Sequence, residues 1–229
     1  MTRPLGRTVP PDWNHVLKHP MSAGLITVPT PVPVVLGVNW YEGFDNPVQG
    51  TDGKYRIKIK GGVRGGHCIC VEPKLPIDHL GWHSFYDQGS EGACEGFGHS
   101  RAMSLMTGKT YNAFWLYDDA RRKEGAYPNG EGSTNRSACA ALKSWGDHFE
   151  TGPACVRTPW KKGVPGAGIT SYSWITHANE ALAVLGLSDA NEVALLNSWG
   201  VSYPQRVYLD VADLQRLLSE SGEASVLVR

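Results

Sequence analysis

The sequence has no surplus of charge of either sign, since 22 lysines and arginines face 22 aspartates and glutamates. A general electrostatic pull toward nucleic acid or an anionic membrane surface is therefore excluded, and partners have to be read from local sites. No apolar run approaches the roughly 20 residues that cross a bilayer, and no apolar leader opens the chain. The five cysteines are odd in number and not densely spaced along the chain. That is unlike a disulfide scaffold and predicts a reducing, cytoplasmic setting. Internal repeats and low-complexity tracts are absent as well. What is present is 229 residues, enough for one large domain or two small lobes around a cleft.

Residues 1–31 are proline-rich without a sustained period and read as an extended arm, leaving 32–229 as the folded part. VPVVLGVNWY (32–41) is a β-branched run suited to a buried strand. KYRIKIK (54–60) alternates strictly, with lysines and arginine on one face, and reads as an edge strand protected by charge. HCICV, after Gly65 and Gly66, is a further strand. From Cys94 the pattern turns helical. More helices are predicted over 112–124 closed by Gly125, over 134–145 closed by Gly146, and over 177–185 capped by Thr176 and closed by Gly186. EVALLNSW (192–199) and RVYLD (206–210) return to strand, and VADLQRLLSESG reads as a closing helix.

Cys94 lies in YDQGSEGACEGFGHSRAMSL, among small residues where a helix begins. A helix N-terminus favours thiolate over thiol through its unpaired amides and dipole. Gln88 can present a side-chain N–H to the same point, and with the Cys94 amide it forms a two-donor oxyanion hole. Taken alone, the cysteine reads better as a small buried hydrophobe. Two other stretches change that balance. RGGHCICV sets His67 on a strand after two glycines, and LLNSWG sets Asn197 at the end of another, followed by Trp199. A cysteine needs a base, and the base needs a group to fix its tautomer and orientation, which an asparagine carbonyl supplies.

These three stretches together resemble the papain-like cysteine peptidases. QGSEGAC matches the glutamine six residues before the nucleophile, RGGHCICV the histidine strand, and NSWG the asparagine strand. LPIDHLGWHSFYDQG, from Leu75, resembles the approach to the cysteine. YNAFWLYDDARRKEG and GSTNRSACAALKSWG resemble the helical lobe of small bacterial and phage members, and GITSYSWITHANEALAVLG the segment that links the lobes. The likeness spans roughly residues 32 to 210. It implies an α+β, two-lobed fold with a helical lobe at about 94–160 and an antiparallel sheet or barrel lobe from 32–72 and 165–229. It also implies hydrolysis of peptide or isopeptide bonds in a protein or peptide substrate, by Cys94, His67, Asn197 and Gln88, without cofactor or metal. Gly130, Gly132 and Ser133 would pair with the substrate backbone, and Trp199 would shield the histidine and asparagine. Three departures stand out. Glu91 occupies a position where animal and plant members keep a disulfide cysteine, Glu95 replaces the tryptophan after the nucleophile, and His67 precedes Cys94 instead of following it.

Rival readings attach to the same residues. A papain-like module that binds peptides without cleaving them, as a structural part of a phage particle, is one. Acyl transfer to an amine by the same triad is another. A metal site from His67, Cys68 and Cys70 is disfavoured because a strand turns residue 67 away from 68 and 70. His99, five residues after Cys94, reads as an ordinary helical histidine. His79, His83, His148 and His177 read as surface residues, and Cys139 and Cys155 as structural.

Overall fold

The computed structural model describes residues 31–74, 86–146, 149–150, 157 and 168–229. The arm before Pro31, the stretch 75–85 with His79 and His83, and His148 and Cys155 lie outside the described residues. The architecture is α+β, with five helices and an eight-stranded sheet.

The strands are β1 (Val34–Tyr41), β2 (Val48–Gln49), β3 (Tyr55–Arg56), β4 (Val63–Val71), β7 (Ser171–Ile175), β8 (Glu192–Leu196), β9 (Arg206–Asp210) and β10 (Glu223–Val228). A separate two-stranded ladder pairs β5 (Thr110–Tyr111) with β6 (Phe149–Glu150). Their order in the large sheet is β2-β3-β9-β8-β4-β1-β10-β7. The expected antiparallel sheet is in fact mixed, because β3 runs parallel to β9 where Arg56 meets Tyr208. It is also open, with β2 and β7 at its edges rather than closed into a barrel.

The middle of the sheet explains the apolar run of β1. Val34, Leu36, Val38 and Trp40 enter one core with β8, β9 and two helices, α4 (Ala178–Leu185) and α5 (Val211–Ser219). Val35 enters a second core with α1 (Cys94–Thr107) and α3 (Asn135–Trp145) on the opposite face. A strand covered on both faces needs apolar residues at consecutive positions, which is what VVL supplies. On β4 the alternation separates Ile69 and Val71 from Cys68 and Cys70 in the same way. A third core joins Tyr86, Phe97, Phe114 and Tyr117 between α1 and α2 (Ala113–Glu124).

Helix ends follow their signals. Asn112 caps α2 by accepting from the Trp115 amide at 3.2 Å, and Gly125 closes it at φ 74°. Thr134 and Ser137 form a capping box on α3. For α4 the expected Thr176 cap is replaced: His177 is the N-cap residue, and the Glu180 carboxylate accepts from the Thr176 and His177 amides. The KYRIKIK strand shortens to two paired residues, although Ile57 still buries and the lysines at 54, 58 and 60 stay exposed. The helix at 211–219 does not close the fold, since β10 follows it and inserts between β1 and β7. No helix among the described residues is long and apolar enough to cross a membrane.

Candidate active site

Adjacent strands bring the histidine and the asparagine together. β4 lies between β1 and β8, with Cys70 paired to Leu196, so His67 in the middle of β4 comes beside Asn197, the residue just past the end of β8. His67 Nε2 is 3.0 Å from Asn197 Oδ1. The Ser198 amide also donates to that oxygen, at 2.7 Å. A backbone N–H can only donate, so the asparagine must present its carbonyl, and the imidazole proton must sit on Nε2. Nδ1 is left as the basic nitrogen. Burial holds the imidazole down at about 4, with the Asn197 bond opposing part of that shift.

An aromatic wall fixes the ring. Trp40 stands edge-on to His67 with centroids 4.7 Å apart, and Trp199 tilts over it at 5.0 Å. Trp40 is itself held by Phe44 and by an Nε1–H bond to Asp45 at 2.9 Å. Tyr203, whose hydroxyl donates to the Phe44 carbonyl at 2.8 Å, completes the wall against Trp199. Trp199 thus packs against His67, and Trp40 is an addition that the sequence did not announce.

Cys94 opens α1, and its sulfur receives the backbone amide of Cys68, the residue directly after His67. Its own amide and that of Glu95 also favour the thiolate, but burial and the Glu95 carboxylate push the thiol up. The helix terminus therefore does not by itself make an acidic cysteine here. Cys94 is still the most accessible of the four described cysteines, because Cys68, Cys70 and Cys139 are buried. All four are free thiols.

Gln88 is oriented by a residue that sequence reasoning passed over. The Ser198 hydroxyl donates to Gln88 Oε1 at 2.5 Å, while Gln88 Nε2 donates to the Glu91 carbonyl at 2.9 Å. These two bonds settle which end of the amide is which and leave its second N–H for a ligand. The loop is tied to the asparagine strand by Gln88 N–H to Ser198 O at 2.9 Å and by Gly200 N–H to Tyr86 O at 3.0 Å. The signal for Ser198 was its place in NSWG, between two residues with assigned roles.

The remaining predicted residues divide. Gly132 lies against Gly92 beside the nucleophile loop, and its amide donates to the Tyr117 hydroxyl at 3.0 Å. The amide of Gly130 is engaged within its own turn with Ala126 O at 2.7 Å. Ser133 is half-buried next to them. Glu91 forms an ion pair with Arg157 at 3.2 Å, and Arg157 also binds Asp118 at 3.0 Å. Residue 91 is thus tied to Arg157 and, through it, to Asp118 by charge. His99 is fully buried against α3. No family model, curated protein or solved structure matches this chain.

Proposed function

We propose that the chain is a papain-like cysteine peptidase that hydrolyses peptide or isopeptide bonds, with α1–α3 as its helical lobe and the sheet as the other. The observation that carries this reading is the His67 tautomer, fixed by Asn197 and Ser198 so that Nδ1 is the free base. In this mechanism His67 Nδ1 takes the Cys94 proton as the sulfur attacks the substrate carbonyl carbon. The Gln88 amide and the Cys94 backbone N–H hold the oxyanion. The C–N bond then breaks, His67 returns the proton to the leaving amine, and a water molecule activated by His67 hydrolyses the acyl-enzyme. Burial favours the neutral thiol and the neutral imidazole at rest, so the proton moves during attack rather than before it. With the described cysteines free, a reducing compartment such as the cytoplasm is the proposed setting.

A peptidyl epoxide followed by peptide mapping tests the assignment. The expected product is a single adduct on Cys94 that is lost in His67→Ala. An adduct on Cys139, or none at all, defeats it. The upward push on the Cys94 thiol favours one second reading, a module that holds peptides with little turnover, for instance in a phage particle. That reading predicts peptide binding without acyl-enzyme formation. Acyl transfer uses the same residues, and an added amine that diverts product from acid to amide would identify it.

A further inference from the structure

Where the first turn of α1 crosses β4, three buried donors of different chemistry converge behind the nucleophile. Cys68 Sγ, a carboxylate oxygen of Glu95 and a ring nitrogen of His99 all lie within 4.8 Å of one another. Their residues are 1%, 5% and 0% exposed. Glu95 and His99 are one helical turn apart and share a face, and the alternation of β4 points Cys68 at that face. The proposed peptidase mechanism uses none of the three.

A second observation points to a missing partner. The Cys68 thiol hydrogen-bonds the Glu95 carboxyl, yet Glu95 Oε2 is buried with no hydrogen bond of its own among the described residues. It stands 3.6 Å from His99 Nδ1, beyond hydrogen-bonding range, and that N–H already donates to the Glu95 backbone carbonyl at 2.8 Å. A buried carboxylate oxygen without a donor is unfavourable unless a proton or a cation meets it. Gly98 shapes the same spot, because a Cβ there would lie 2.7 Å from Cys68 Sγ. Only glycine lets the sulfur settle against the helix between Glu95 and His99.

We propose that Cys68, Glu95 and His99 bind a divalent transition-metal ion of the zinc class. Thiolate, imidazole and carboxylate are the donor types such ions select, and three protein ligands leave a fourth position for water. The charges also match: one thiolate and one carboxylate neutralise a dication in a site where either anion alone is costly. Bond lengths of about 2.0 to 2.3 Å require the three donors to close by roughly 1 Å, within the reach of side-chain torsions. Binding through Nδ1 requires the ring to turn off the Glu95 carbonyl, giving up that 2.8 Å bond, and moves the ring proton to Nε2, where Cys139 Sγ stands 3.4 Å away to accept it. The Cys68 thiol and the Glu95 carboxyl, where protonated, release their protons to solvent.

The test uses the full chain carrying Cys94→Ala, which removes the accessible thiol as a competing ligand and makes the result independent of peptidase activity. Metal-free protein is titrated with Co²⁺. The expected result is one equivalent bound, with thiolate-to-cobalt charge-transfer absorption that Zn²⁺ displaces. Cys68→Ser should abolish that absorption, and Glu95→Gln or His99→Gln should weaken binding about 10-fold to 100-fold or more. Absence of stoichiometric Co²⁺ binding by the folded Cys94→Ala chain overturns the proposal without recourse to any further variant. Charge-transfer absorption that survives Cys68→Ser overturns it too.

Discussion

The Ser198 amide and the His67 ring share one acceptor, the Asn197 carbonyl oxygen, at 2.7 and 3.0 Å. The first contact is a backbone donor and cannot reverse, so it dictates the polarity of the second. The tautomer of His67 is thereby set by a main-chain group just past the end of β8.

Loss of the base should matter more than loss of the group that orients it. Alkylation of Cys94 by iodoacetamide near neutral pH should slow about 10²-fold or more in His67→Ala, on the scale of general-base contributions. It should slow less in Asn197→Ala. Equal rates in wild type and His67→Ala would remove His67 from the mechanism.

The Ser198 hydroxyl should act through Gln88 and nowhere else. Ser198→Ala frees the amide to rotate, so turnover of a peptide ester should fall, by less than the roughly 10² to 10³ that follows loss of an oxyanion donor. Cys94 alkylation, which forms no oxyanion, should be unchanged. In a Gln88→Ala background the serine substitution should have no further effect, and additive losses would show that Ser198 acts elsewhere.

Buried titrating groups should give the metal-free protein a stability maximum near neutrality. His67 and His99 are held at about 4 against an ordinary 6.5, and Glu95 at about 8 against 4.5, each mainly by burial. Below about pH 6.5 unfolding lets two imidazoles take up protons while one carboxyl releases its own, a net gain of one. Stability therefore falls with falling pH, by about 1.4 kcal/mol per unit. Between about 6.5 and 8 only Glu95 changes, the unfolded chain holds fewer protons, and stability falls as pH rises. Glu95→Gln should be flat in that upper range and about twice as steep below it. Urea unfolding across these pH values measures both limbs, and a wild-type chain as flat as Glu95→Gln above neutrality would contradict the assignment.

At Gly96 α1 lies close against the backbone of α2. A Cβ at this position would meet the Ala113 carbonyl oxygen at 2.3 Å and the Tyr117 amide nitrogen at 2.7 Å, both backbone atoms. Gly96→Ala should destabilise by about 1 to 3 kcal/mol, lowering the thermal midpoint by roughly 2 to 4 °C for each kcal/mol. An unchanged midpoint would mean that the two helices are not in contact at this point.

Much of this was legible because it is local. Caps at Asn112 and Thr134, terminators at Gly125 and Gly146, and the alternation that turns His67 away from Cys68 are set by neighbours in sequence. β10 was not legible: EASVLV has no alternation, since it is buried on both faces between β1 and β7. The half-exposed SYSWI of β7 becomes a strand only because β10 lies beside it. The mixed sheet depends on a single parallel contact between segments far apart in the chain. Within the site, the candidate triad was readable as three motifs. The cluster of Cys68, Glu95 and His99 was not, because two of its members read separately as a neighbour of the nucleophile and an ordinary histidine.

The sheet order has a consequence for synthesis. β1 and β4 form an antiparallel pair early in the chain, but the strands that flank that pair, β8 and β10, are translated long after it. Contacts between segments so far apart form slowly and cannot precede the later segment. An elongating chain thus carries its histidine and then its cysteine while the asparagine has yet to be made. The central pair stays uncovered along both edges until then. The site is assembled last, so a half-made chain carries His67 and Cys94 with no asparagine carbonyl yet present to orient the imidazole.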